Sequence, residues 1–340
     1  MKKYILSITT GLIIALAFVF IPSTTATAVE ATSTNSGQAL EIAPPVMILN
    51  ADPGQTIQTK ITLRSISKAV LSVNSQVNDF VADGEDGTPK ILFDDSTETS
   101  IYSIKNWVEY LPDLTLKSRQ IEDLPLVINV PSNAAPGGYY GVVRFTASPA
   151  DLNSTGVSLS ASLGALILLR VNGDVKENLT IEEFSASKKG LTGTIFESTP
   201  IQFTVRLKNS GNIHEQSTGQ VTITDMFNKK IATVNVNPDP ERNNILPDSI
   251  RKFESPLDSA VIGNKMLFGR YTANLKMTYG TDKQVITQTI TFWVIPFTLI
   301  GICIILIVGG FLTLRFLVKR YNRHIRNQVL GIKKSKKNKK

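Results

Sequence analysis

The chain has 340 residues, with 36 Lys and Arg against 28 Asp and Glu, two histidines and one cysteine. A single cysteine excludes a disulfide framework, and two widely separated histidines give no His/Cys metal-ligand spacing. The net charge of +8 sits at the two ends. Without Lys2, Lys3 and the eleven basic residues after position 314, 23 bases face 28 acids, so the middle is mildly acidic and lacks a basic stripe for nucleic acid.

In chain order, residues 1–28 read as a secretory signal peptide. Lys2 and Lys3 precede an apolar run, and Ala26-Thr27-Ala28 offers a small-x-small cleavage site. Residues 29–39 are a polar leader without core-forming residues. From residue 40 to 291 the pattern is β, and the length suits two domains, 40–173 and 174–291. TIQTKITL (56–63), LSVNSQV (71–77), LPLVINV (124–130) and 141–146 alternate apolar and polar residues. So do IQFTVRL (201–207), 219–223, 231–236, 271–277 and 285–292. The longer run 158–171 predicts a strand with Gly164 at a bulge or bend. Turn signals such as Asp52-Pro53-Gly54 and Ser210-Gly211-Asn212 punctuate these runs, which predicts an all-β architecture of two tandem Ig-like β-sandwiches.

Two internal matches point to duplication. IQTKITLRS (57–65) resembles IQFTVRLKN (201–209) at an offset of 144. In PGGYYGVVRF (136–145), Gly137, Tyr139 and Gly141 align with Gly269, Tyr271 and Ala273 of FGRYTANLKM (268–277) at an offset of 132. The difference places about twelve extra residues in the first domain, between Asp79 and Leu116. Gly137 with Tyr139, and Gly269 with Tyr271, read as structural corners, each tyrosine buried and bonded to its preceding turn. A duplicated ligand site is the alternative.

Residues 292–314 carry no charge and are long enough to span a bilayer, with Trp293 at the outer end. Residues 315–340 hold eleven bases and no acid, so this tail is expected on the cytoplasmic side, against anionic lipid headgroups, with the sandwiches outside the cell.

Chemistry is sparse. His214 lies in NSGNIHEQ with no second base, and no G-x-S-x-G, H-E-x-x-H, phosphate-loop or cofactor motif occurs, so no catalytic residue is assigned and no enzyme or cofactor is expected. Asp79, Asp83, Glu85 and Asp86 in NDFVADGEDG could ligate calcium, or could form a solvated hairpin tip. Trp107 and Tyr110 in KNWVEYLPDL could contact a sugar or a protein partner, or could cover a core edge.

APGGYYGVVRF, LGALILLRVNG, KNSGNIHEQSTGQVTITD, FGRYTANLKMTYG and the closing FWVIP together resemble the WxL-interacting proteins of Gram-positive bacterial surfaces. The resemblance implies a peptidoglycan-binding-like first domain, a host-binding-like second domain and a C-terminal membrane anchor. The expectation is a non-catalytic surface protein that binds a partner protein or cell-wall glycan. An assembly scaffold without glycan binding is the alternative, and a wall hydrolase a remote one.

Overall fold

The computed structural model describes residues 40–94, 97–98, 100–149, 161–240, 242–263 and 265–337; the predicted signal peptide and leader lie outside these residues. The first sandwich contains β1 (Leu40–Ala43), β2 (Val46–Ala51), β3 (Thr56–Ser65), β4 (Leu71–Asp83), β5 (Thr88–Leu92), β6 (Leu114–Leu116), β7 (Ile121–Asn129), β8 (Gly137–Pro149) and β9 (Ala161–Val171). The second contains β10 (Leu179–Lys188), β11 (Leu191–Thr192), β12 (Ile195–Phe196), β13 (Ile201–Asn209), β14 (Thr218–Asp225), β15 (Lys230–Val236), β16 (Ile250–Leu257), β17 (Gly269–Tyr279) and β18 (Gln284–Val294). A one-turn helix, α1 (Ser259–Ile262), is capped by the Asp258 carboxylate, which accepts from the Ala260 and Val261 N–H groups.

The alternation read in the sequence decides which face each strand buries. In β13, Ile201, Phe203, Val205 and Leu207 are buried and the residues between them are less so. The two sandwiches share one wiring. Sheet order β1-β3-β7 corresponds to β10-β13-β16, and β2-β9-β8-β4-β5 corresponds to β12-β18-β17-β14-β15, with β6 added beside β4. The matched segments at offset 144 are β3 and β13, and those at offset 132 are β8 and β17. Each sandwich therefore repeats an Ig-like plan, with its first strand switching from one sheet to the other: β2 pairs β9 in parallel, and β12 pairs β18 in parallel.

Each sandwich has its own core, one including Ile61, Leu126, Phe145 and Ile167, the other Phe203, Val221, Leu275 and Phe292. Gly164 is not at a bulge, because the β8–β9 register runs unbroken through Arg144↔Gly164. Its role is packing: a Cβ there would lie 2.7 Å from Cγ2 of Val142.

β18 extends to Val294, and α2 (Phe297–Lys337) begins after a two-residue link, Ile295 and Pro296. Phe292, Trp293 and Val294, assigned from sequence to the membrane span, therefore belong to a strand, and Phe292 is fully buried in the second core. The stretch Phe297–Arg323 of α2 is long and apolar enough to cross a membrane.

Candidate functional site

The turn PGGYY ends beside the second sandwich. Successive strand residues point to opposite faces, so Tyr139 and Tyr140 serve different purposes. Tyr139 is half-buried rather than buried; its hydroxyl donates to the Ala135 carbonyl at 3.0 Å, and its ring meets Trp107 with centroids 4.3 Å apart. In the second sandwich the Tyr271 hydroxyl accepts from the Phe268 N–H at 3.0 Å and donates to the Phe268 carbonyl at 3.2 Å. Gly137 and Gly269 have φ of +153° and +103°, a region in which a Cβ would be strained.

Tyr140 faces outward from its own core yet is almost wholly buried. Its ring lies edge-on to Phe80 and Tyr102, each at 6.1 Å, and to His214 of the second sandwich at 5.8 Å. The loop that carries His214 docks on the turn. Gly138 N–H donates to the Asn212 carbonyl at 2.7 Å, and Asn212 Nδ2 donates to the Pro136 carbonyl at 2.9 Å. Asn212 Oδ1 accepts from the Lys176 N–H in the linker at 2.8 Å. PGGYY and NSGNIHEQ thus form the joint between the sandwiches.

Charged groups surround this joint. Burial, aided by Arg170, depresses His214 to about 4 and keeps the imidazole neutral. Burial, aided by the neighbouring Glu177, pushes Glu215 up to about 7; its Oε2 accepts from the Gly280 N–H at 3.1 Å, while its Oε1 is buried without a hydrogen-bond partner. Burial also raises Glu177, but the Thr281 hydroxyl and N–H, with Arg170, outweigh it and hold that carboxyl low.

The acidic hairpin between β4 and β5 forms the second contact. Glu85 pairs with Arg206 on β13, with Oε2 accepting from Nε at 2.8 Å, and its carbonyl accepts from the Lys252 N–H at 2.8 Å. The hairpin tip is therefore docked on a neighbour. Asp79 accepts from the Ser103 hydroxyl at 2.7 Å, while Asp83 and Asp86 are exposed. No group of three His, Cys, Asp or Glu side chains gathers in a metal-holding arrangement among the described residues.

A cleft of about 540 Å³ opens between the two contacts. Its floor is the outer face of the first sandwich's larger sheet, with Val46, Ile48, Leu166 and Leu168. Its far wall is the second-sandwich segment through Pro240, Asn244 and Arg251. Arg251 donates to the Asn244 carbonyl at 2.7 Å and to Asn243 Oδ1 at 3.0 Å, which fixes that wall. Val46 and Ile48 are 40% and 48% exposed, high for β-branched aliphatics on a sheet face.

Trp107 and Tyr110 differ in exposure: Trp107 is half-buried beside Tyr139 and the first core, whereas Tyr110 is 87% exposed. The joint residues Tyr140 and Asn212, and the floor residues Val46 and Ile48, were not singled out from the sequence. The available signal was the pair of glycine-bearing motifs, but nothing in one sequence shows that they meet.

No family model and no curated protein matches the chain. Among solved structures it is similar to the YadV chaperone, at 11% identity over 75% of this chain and 100% of that one, with a TM-score of 0.35. It is also similar to the class 5 fimbriae chaperone CfaA, at 16% identity over 74% and 98%, with a TM-score of 0.35. A third is the CsuC-CsuE chaperone-tip adhesion subunit complex of Acinetobacter baumannii, at 12% identity over 75% and 98%, with a TM-score of 0.32. Likeness at this level bears on no activity or partner of this chain.

Proposed function

We propose that the protein is a single-pass, non-catalytic bacterial surface protein that holds an apolar segment of a partner protein in the cleft between its sandwiches. The carrying observation is the floor of that cleft, where exposed Val46 and Ile48 border Leu166 and Leu168 in a space of about 540 Å³. The resemblance to WxL-interacting proteins is in keeping with a protein partner. The eleven bases after residue 314 favour a cytoplasmic tail and external sandwiches. A glycan-binding reading draws on Trp107 and Tyr110, of which Trp107 is engaged with Tyr139 and Tyr110 is largely exposed.

The test is a photo-crosslinking amino acid at position 48 of the full chain in intact cells, with exposed Phe227 as the control position. The expected result is an adduct at 48 that maps to one segment of one protein, is absent at 227 and is lost when Leu166→Asp is added. Equal adducts at both positions, or none at 48, would overturn the reading. Retention on insoluble peptidoglycan, unchanged by Leu166→Asp, would favour the glycan instead.

A further inference from the structure

The repeated plan differs between the two sandwiches along one edge. In the first, β2 lies parallel on β9 over six residues, Val46↔Leu166 to Ala51↔Val171. In the second, β12 covers only Ile195↔Trp293 and Phe196↔Val294 of the equivalent strand. In that sandwich β10 runs on the other sheet for ten residues before the chain crosses to β12, whereas β1 occupies only four residues before β2. β18 is paired to β17 along its whole length without a bulge; on its opposite side no strand is hydrogen-bonded to it from Val285 to Thr291, and β10, in the other sheet, passes close to it.

The orientation of that edge follows from one hydrogen bond. Trp293 N–H donates to Thr194 on the β12 side. Strand residues alternate in hydrogen-bonding direction, so Val285, Thr287, Thr289 and Thr291 also point their N–H and C=O groups away from β17. Among the described residues these groups meet no protein partner. Between Lys283 and Pro296 the strand has no charge, proline or glycine, and it is rich in β-branched residues. Soluble proteins normally blunt such an edge with lysine, proline or a bulge. On the inner face, Ile286 and Ile290 pack on the core but remain half-exposed at the rim.

We propose that the open edge of β18 accepts an extended, uncharged segment of a second protein as an added strand, parallel to β18 as β2 is to β9. About seven residues would lie along Val285–Thr291, a span of roughly 23 Å. Those level with Ile286 and Ile290 would be apolar and complete the cover of the core, and those level with the threonines would be small and uncharged.

A second copy of this chain fits poorly. β18 leads into the membrane-spanning stretch after two residues. Antiparallel self-pairing would put the two helix starts at opposite ends of the paired edge, although both must enter one bilayer. Parallel self-pairing about a two-fold axis would set like residues level, with their outward N–H and C=O groups out of step.

The probe is a peptide of about seven alternating valines and threonines with lysine-bearing ends, added to the full chain in lipid nanodiscs. The readout is residue-resolved amide hydrogen exchange. The expected result is exchange slowed about tenfold or more at Val285, Thr287, Thr289 and Thr291, with little change at Ile286, Gln288 and Ile290. A peptide N-methylated at alternate residues should give no slowing. Thr287→Pro, which removes an outward N–H and leaves the β17 ladder intact, should abolish it, and Thr287→Lys should weaken it at unchanged melting temperature. Ile48→Asp, in the cleft, should leave it unaltered, so the edge and the cleft stand or fall separately. The proposal is overturned if the four amides do not slow, if the N-methylated peptide slows them equally, or if they are already slow in the free chain. Slowing that depends on protein concentration without peptide would replace the foreign strand with a second copy.

Discussion

At the scale of single residues, the joint between the sandwiches places two titratable groups with opposed tendencies side by side. His214 is depressed from 6.5 to about 4, so the unfolded chain takes up its proton first; this contribution to stability is whole above pH 6.5 and is lost as pH falls towards 4. Glu215 is raised from 4.5 to about 7, so its contribution is whole below pH 4.5 and is lost as pH rises towards 7. Melting temperatures of the two single variants, each measured against the wild-type chain across this range, should diverge in opposite senses. Glu215→Gln should gain on wild type as pH rises from 4.5 to 7, and His214→Gln should gain as pH falls from 6.5 to 4. Parallel pH profiles for all three chains would mean that neither group senses the joint. These shifts could not be read from NSGNIHEQ. They arise because Tyr140, Arg170 and Glu177, remote in sequence, close over the loop.

At the scale of elements, alternation made the central strands legible, because β3, β13 and β17 each bury one face and leave the other more exposed; β4 starts the same way at Leu71 and Val73 but then buries Asn78 and Phe80 on its other face. β2, β5, β10 and β16 were less visible. β2 carries aliphatics on both faces because its outer face borders the cleft, so VMILNA has no clean period of two. Gly164 shows the same limit: a glycine within a strand suggests a bulge, yet here it admits Val142 from the neighbouring strand. Gly164→Ala should overfill that contact at a cost of about 1–3 kcal/mol and lower the melting temperature by several degrees, without changing the adduct pattern from position 48. An unchanged melting temperature would show that Val142 can move aside.

At the scale of the whole molecule, the repeated plan and the long apolar C-terminal helix were legible because both rest on long patterns. The joint contacts and the cleft were not, since they depend on how two separately folded cores meet. The boundary between the second sandwich and the apolar helix α2 also differs from the sequence reading, because an apolar β-strand and an apolar helix are continuous in composition. Phe292 packs with Phe196, Phe203 and Tyr271, with ring centroids 6.1, 5.8 and 5.7 Å away. A chain ending at residue 291 loses that ring together with Val294 and the β12 pairing, and should be insoluble or molten. A chain ending at residue 296 should be soluble, monodisperse on size exclusion and cooperative in melting. Equal behaviour of the two truncations would show that the end of β18 is dispensable.

The junction of β18 with α2 also has a mechanical meaning. With only Ile295 and Pro296 between them, there is no slack stalk, so in the topology proposed above tension between the membrane and anything held outside runs straight into β18. That strand is paired to β17 along all eleven residues, from Gln284 to Val294. A pull along its axis therefore loads the rungs together, in shear, instead of peeling them one at a time. The strand that leads into α2 is therefore paired for load along one edge and left without a paired strand along most of the other.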